Sequence, residues 1–178
     1  MQPSIARQYE ALELGKSRML DDLAGWSAEA LPFRPAEASW SALDIVQHLM
    51  KSEDRILAAM ELADSSDAKF SNRDRVRGLM LTLLFQTPFR VKVPASAKQV
   101  LPGGDEDFPA LTERWAAVRI RMACFLGGLH QPDLVRPVFR HPVAGWMTVP
   151  RTLAFLSAHI VHHGYQLHRL RRSIANGR

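Results

Sequence analysis

The chain has 178 residues, of which 47% are hydrophobic and 23% charged, and 23 Lys and Arg against 18 Asp and Glu give a formal net charge of +5. That length and balance are ordinary for a globular protein and predict one domain over residues 1–178 with a real core. A single cysteine, Cys124, excludes an intramolecular disulfide and any cysteine-based zinc cluster.

The amino-terminal turn carries Arg7 and Glu10 with no apolar run behind it, so no secretory signal is read and a cytoplasmic protein is expected. No stretch reaches the length of a membrane span. The positive charge raises nucleic-acid binding as a possibility, but the basic residues are interleaved with acids except in the tail at Arg169, Arg171, Arg172 and Arg178. A basic last turn complements the negative end of a helix dipole, so no nucleic acid is expected as partner.

The first helical pattern runs from about Ser4 to Trp26, with Ile5, Tyr9, Leu12, Met19, Leu20 and Leu23 at three- and four-residue spacing. Leu31-Pro32-Phe33-Arg34-Pro35 interrupts it, because proline cannot continue a helix. A second helix opens at Ser39 or Ser41, with Asp44 as a capping-box partner for Ser41, and its seam reads Ile45, Leu49, Ile56, Ala59 and Met60. It fades into Asp64-Ser65-Ser66-Asp67. A shorter helix follows, capped by Ser71 or Asn72, with Val76, Leu79, Met80, Leu83 and Leu84 on one side and burial beneath a loop as the expected fate of that side.

Residues from Thr87 to Pro109, punctuated by Pro88, Pro94, Pro102, Gly103 and Gly104, read as an irregular crossover. The next helix spans about Phe108 to Leu129 on Trp115, Val118, Met122 and Phe125, and Gly127-Gly128 ends it. Arg136 to Trp146 looks extended, with a turn from Pro142 to Gly145. Thr148 caps a final helix whose seam holds Val149, Leu153, Leu156, Ile160, Leu167 and Leu170. Four long helices with apolar seams and a long crossover argue for an all-α bundle.

Histidines interrupt two of those seams. His159 and His163 lie four residues apart, hence on one helix face about 6 Å apart along the axis. His48 lies beside Ile45 and Leu49 in the second helix. Bundle cores build metal sites from side chains on facing helices, and imidazoles at this spacing can converge on one divalent ion. The competing reading is three half-buried rings, each satisfied by a carbonyl or a neighbouring side chain. Spacing alone leaves both open. His162 and His168 fall off the face of His163 and read as surface or rim. His130 and His141 fall in loops, with a minor prospect of lining a pocket mouth. Cys124, between Met122 and Phe125, reads as a small core hydrophobe.

Four stretches in order carry a family resemblance. Trp40-Ser41-Ala42-Leu43-Asp44-Ile45-Val46-Gln47-His48-Leu49 resembles the second-helix motif of the DinB/YfiT-like superfamily, and Phe33-Arg34-Pro35 its Arg-Pro loop. His141-Pro142-Val143-Ala144-Gly145 is similar to the His-Pro-x-x-Gly turn of one branch. His159-Ile160-Val161-His162-His163-Gly164-Tyr165-Gln166 is similar to the closing motif, though Gly164-Tyr165 replaces the commoner Arg-Gly order before Gln166.

The resemblance implies an up-down-down-up four-helix bundle, here with an extra short helix, and one divalent metal held by His48, His159 and His163. Zinc or nickel is the expected ion, with iron an alternative. Gln166 matches the family's glutamine, without a ligand role. Related proteins include thiol-dependent S-transferases, so the resemblance implies an enzyme acting on a small molecule, with a low-molecular-weight thiol as co-substrate. A metal-dependent hydrolase and a non-catalytic stress-response metal-binding module are the alternatives. No proton-transfer carboxylate stands beside the histidines, since Glu53 and Asp54 lie more than a turn beyond His48, and the catalytic residues stay unassigned. A homodimer is the assembly expected.

Overall fold

A computed structural model describes residues 1–63, 70–89, 99–104 and 106–177. Asp64-Ser65-Ser66-Asp67 and Pro94, read above as connection, lie outside the described residues. Five helices follow one another as α1 (Pro3–Ala24), α2 (Ala42–Glu61), α3 (Asn72–Phe85), α4 (Phe108–Gly127) and α5 (Val149–Ala175). A 3₁₀ turn (Gln131–Val135) and two strands, β1 (Pro137–His141) and β2 (Gly145–Thr148), separate α4 from α5. No helix among the described residues is long and apolar enough to cross a membrane.

The long helices form an all-α bundle in which α1 packs on α5 and α4, and α2 on α4 and α5. On α1 the expected seam is buried at Ile5, Leu12, Met19 and Leu23, and on α4 at Trp115, Val118 and Met122, joined there by Leu111 and Leu126, while Phe125 is only partly buried. On α2 almost every side chain from Ala42 to Met50 is buried, so this helix runs through the interior.

Its start is fixed by a capping box. Asp44 N–H donates to Ser41 Oγ at 3.1 Å, and Ser41 N–H donates to Asp44 Oδ2 at 2.8 Å. Arg34 closes the same end bidentately on Asp44, at 2.8 and 2.9 Å, which ties the Arg-Pro loop to the helix. Burial alone would raise the Asp44 carboxyl, but the bonds from Arg34 and Ser41 hold it below its ordinary value.

Glu53 is fully buried on the side facing α4. It accepts from Trp115 Nε1 at 2.6 Å and from Arg119 Nε and Nη2 at 2.6 and 2.7 Å, while Arg119 Nη1 reaches Glu13 at 2.9 Å. A carboxylate whose oxygens are both engaged in charge-assisted bonds joins α1, α2 and α4 and takes no part in proton transfer at the histidines.

Two expectations are corrected. The apolar side of α3 does not lie beneath a loop among the described residues: Val76, Leu79, Met80 and Leu83 are all more than half exposed. The helix instead packs on α5 and β2 through Gly78, Leu81 and Phe85. Apolar residues lie nearly all round α3, so periodicity does not single out the buried face. Cys124 is exposed, because it lies two positions, or about 200°, from Met122 and from Leu126 on the buried stripe of α4. The stretch read as extended with a turn from Pro142 to Gly145 is an antiparallel hairpin of β1 and β2, in keeping with that reading, with Phe139 opposite Met147 and His141 opposite Gly145. Thr148 occupies the cap position of α5 but makes no side-chain cap bond, since β2 runs directly into the helix.

Candidate metal centre

The buried histidines of α2 and α5 meet in the bundle. His48 Nε2 lies 3.3 Å from His159 Nε2, and His163 Nε2 lies 3.1 Å from the same atom. The three potential ligand atoms all fall within 4.8 Å of one another, and the rings are 3%, 7% and 5% exposed. These are the three histidines singled out from spacing and motif, brought to one point.

The other nitrogen of each ring settles its proton. His48 Nδ1 lies 2.8 Å from Val100 O, which can only accept, so Nδ1 carries the hydrogen and Nε2 presents a lone pair. His163 Nδ1 likewise donates to Gln166 Oε1 at 3.0 Å, leaving a second lone pair aimed at the same point. His159 Nδ1 is buried without a partner among the described residues. Stacked Phe85 and Phe155, with centroids at 5.4 and 5.6 Å, hold that ring instead.

Two lone pairs converging on a third imidazole nitrogen repel unless a proton or a cation sits between them. The donor set therefore fits a divalent metal: three neutral nitrogens, with tautomers preset in His48 and His163 and outer partners that orient those two rings. Neutrality is enforced by burial. Desolvation lowers the His48 imidazole to about 4 and drives His159 and His163 well below the usual histidine range, with mutual repulsion adding to it.

Around the centre lies a cleft of about 1570 Å³. Trp40 leans on His48 at 4.8 Å and stacks on His163 at 6.0 Å. Lys51, Arg55, Arg140 and Arg169 line it, against one carboxylate among the described lining, Asp54, which is paired with Arg121 at 2.9 Å.

His162 is 6% exposed and stacked on Phe85 at 4.8 Å, contrary to its expected rim position. Its ring stands edge-on to His163 at 5.2 Å and lines the same cleft, and α3 covers it through Phe85. His168 and His130 are exposed and lie outside the described lining. His141 lines the cleft, with its ring edge-on to Phe155 at 4.9 Å. Val100 carried no signal in the sequence, because it acts through a backbone oxygen. Phe85 carried none either, because nothing local places α3 over α5.

The sequence profile of the DinB superfamily matches residues 11–167, which covers all the histidines of the centre. No curated protein and no solved structure matches the chain.

Proposed function

Because the chain belongs to the DinB superfamily, we propose that it is a metal-dependent enzyme in which His48, His159 and His163 hold one divalent ion, and that it transfers a group to the sulfur of a low-molecular-weight thiol. The observation that carries the metal assignment is the convergence of three Nε2 atoms, two of them with lone pairs fixed by acceptors at Nδ1. Zinc and nickel both suit imidazole ligands, and cellular supply decides between such ions.

A bound divalent ion with three neutral ligands keeps its full charge and an open position, and so supplies stabilisation of a thiolate at neutral pH. The chain's own groups do the rest. Val100 O and Gln166 keep His48 and His163 aimed inward. Trp40, Phe85 and Phe155 keep the rings desolvated. The cationic lining favours an anionic reactant.

The thiol reading is favoured over hydrolysis by the lining. A bound ion would ionise water as well as a thiol, but the single carboxylate among the described lining, which could shuttle protons in a hydrolytic step, is already paired with Arg121. A thiol, once ionised, is itself the nucleophile.

Elemental analysis of purified variants tests the metal assignment. His163→Ala should lose stoichiometric metal, and His162→Ala should retain it; equal metal content in His163→Ala and the parent defeats the assignment. The transferase reading is tested by incubating the metal-loaded protein with small thiols and electrophiles. Water-derived products without conjugates would favour the hydrolase, and no product of either kind the binding module.

A further inference from the structure

The hairpin between α4 and α5 is built around one imidazole. His141, the last residue of β1, accepts two backbone hydrogen bonds at Nδ1, from Val143 N–H and Ala144 N–H, each at 3.1 Å. An imidazole nitrogen accepting two such bonds cannot carry a hydrogen, so the ring's proton resides on Nε2. That Nε2 has no partner among the described residues, and the ring lines the cleft.

The turn itself is clamped. Gly145 has φ +80°, and a Cβ there would collide with Asp74 Oδ1. Asp74 also accepts from the backbone of Trp146, and Ala144 beside it is fully buried. The turn that holds the ring is thus fixed from within by the two bonds to Nδ1 and from outside by Asp74 of α3. Burial lowers His141 to about 4, so it stays neutral at physiological pH. It stands edge-on to Phe155, which stacks on His159, one aromatic ring from the metal centre.

We infer that His141 is a substrate-binding residue, a fixed Nε2–H donor that takes an oxygen of an anionic group, of carboxylate type, on the reactant held at the metal. A neutral donor that cannot turn over to accept selects an acceptor atom. The neighbouring Arg140, with Lys51 and Arg55 in the same lining, makes an anionic acceptor the favoured one. This rests on the thiol-and-metal reading above only for what lies at the other end of the reactant.

The test uses the full chain loaded with zinc, and its metal content is measured first. The probes are ω-mercaptocarboxylates of increasing length, each paired with the ω-mercaptoalcohol of equal length, titrated calorimetrically into the parent and His141→Phe. At the length that spans the centre and His141, the parent should prefer the carboxylate by roughly tenfold, the scale of one hydrogen bond to a charged acceptor. His141→Phe should lose that preference while keeping its zinc and its affinity for the alcohol series. His141→Gln, which can restore an N–H donor, should recover part of it.

An identical preference profile in parent and His141→Phe overturns the inference, and so does a parent with no preference at any length. Histidine nitrogen NMR on the metal-free parent supplies an independent readout that needs no variant to fold. It should show His141 protonated at Nε2 alone, with that resonance moving on addition of a short alkyl carboxylate. Protonation at Nδ1, or no movement, overturns the inference. Failure of the parent to hold zinc defeats the metal assignment instead and leaves this readout standing.

Discussion

The three ring nitrogens of the centre are not equivalent. His48 and His163 have their Nδ1 hydrogens committed to oxygens, whereas His159 Nδ1 has no hydrogen-bond partner among the described residues. In the metal-free protein His159 keeps its proton on Nε2, shared between two lone pairs. To take a cation it must move that proton to the unpartnered Nδ1, at a cost on the order of 1–3 kcal/mol. Affinity therefore depends on how well the other two rings are held. Gln166→Leu should keep the fold and weaken metal binding by about 10–100-fold, read by competition with a chromophoric chelator; unchanged affinity would show that Gln166 does not orient His163. At this scale the sequence was informative where chemistry and helical spacing coincide. His159 and His163 could be paired from their four-residue interval, and His48 from its seam. His162 could not be placed, because what buries it is Phe85, from a helix whose docking no local pattern encodes. His141 could only be noted as a loop histidine, because its proton position depends on two backbone N–H groups of its own turn.

Among the elements, the capped starts were the most legible. Ser41 with Asp44, and Ser71 with Asp74, form capping boxes that fix where α2 and α3 begin. The opposite holds for the buried face of α3, where Leu81 and Phe85 differ from exposed Leu83 and Leu84 in position alone. The hairpin depends on contacts from outside itself. Asp74 serves twice, closing the start of α3 and filling the space where a Gly145 side chain would be. Gly145→Ala meets both a backbone conformation unfavourable to a side chain and this carboxylate. It should lower stability by about 1–3 kcal/mol in urea unfolding, and weaken the carboxylate preference assigned to His141. A variant as stable as the parent would show that the turn relaxes freely.

For the whole molecule, burying neutral histidines ties stability to pH. In the unfolded chain they titrate near 6.5. In the fold, burial keeps His48 and His141 neutral down to about 4, and His159 and His163 are depressed too. Below pH 6.5 the unfolded state therefore binds more protons than the folded one, and stability must fall on acidification through the window from 6.5 to about 4. Each histidine held neutral contributes a slope of about 1.4 kcal/mol per pH unit there. Urea midpoints of the chelator-treated protein should be flat from pH 8 to 7 and drop steadily from 6.5 to 5. A midpoint that is level across that range would mean that the rings are solvated in the free protein.

The short helix touches the centre at both of its ends. Its first turn braces the hairpin that carries His141, and its last residue, Phe85, lies flat on His159 and His162. The proposed metal ligands come from α2 and α5, whereas α3 and the hairpin furnish much of the wall that a reactant would meet. Reactivity and selectivity are thereby assigned to different stretches of chain. Exchanging α3 and the hairpin, with α4 and the segment carrying Val100 kept, would be a way to change what the protein accepts while leaving in place the proposed ligands and the carbonyl that orients His48.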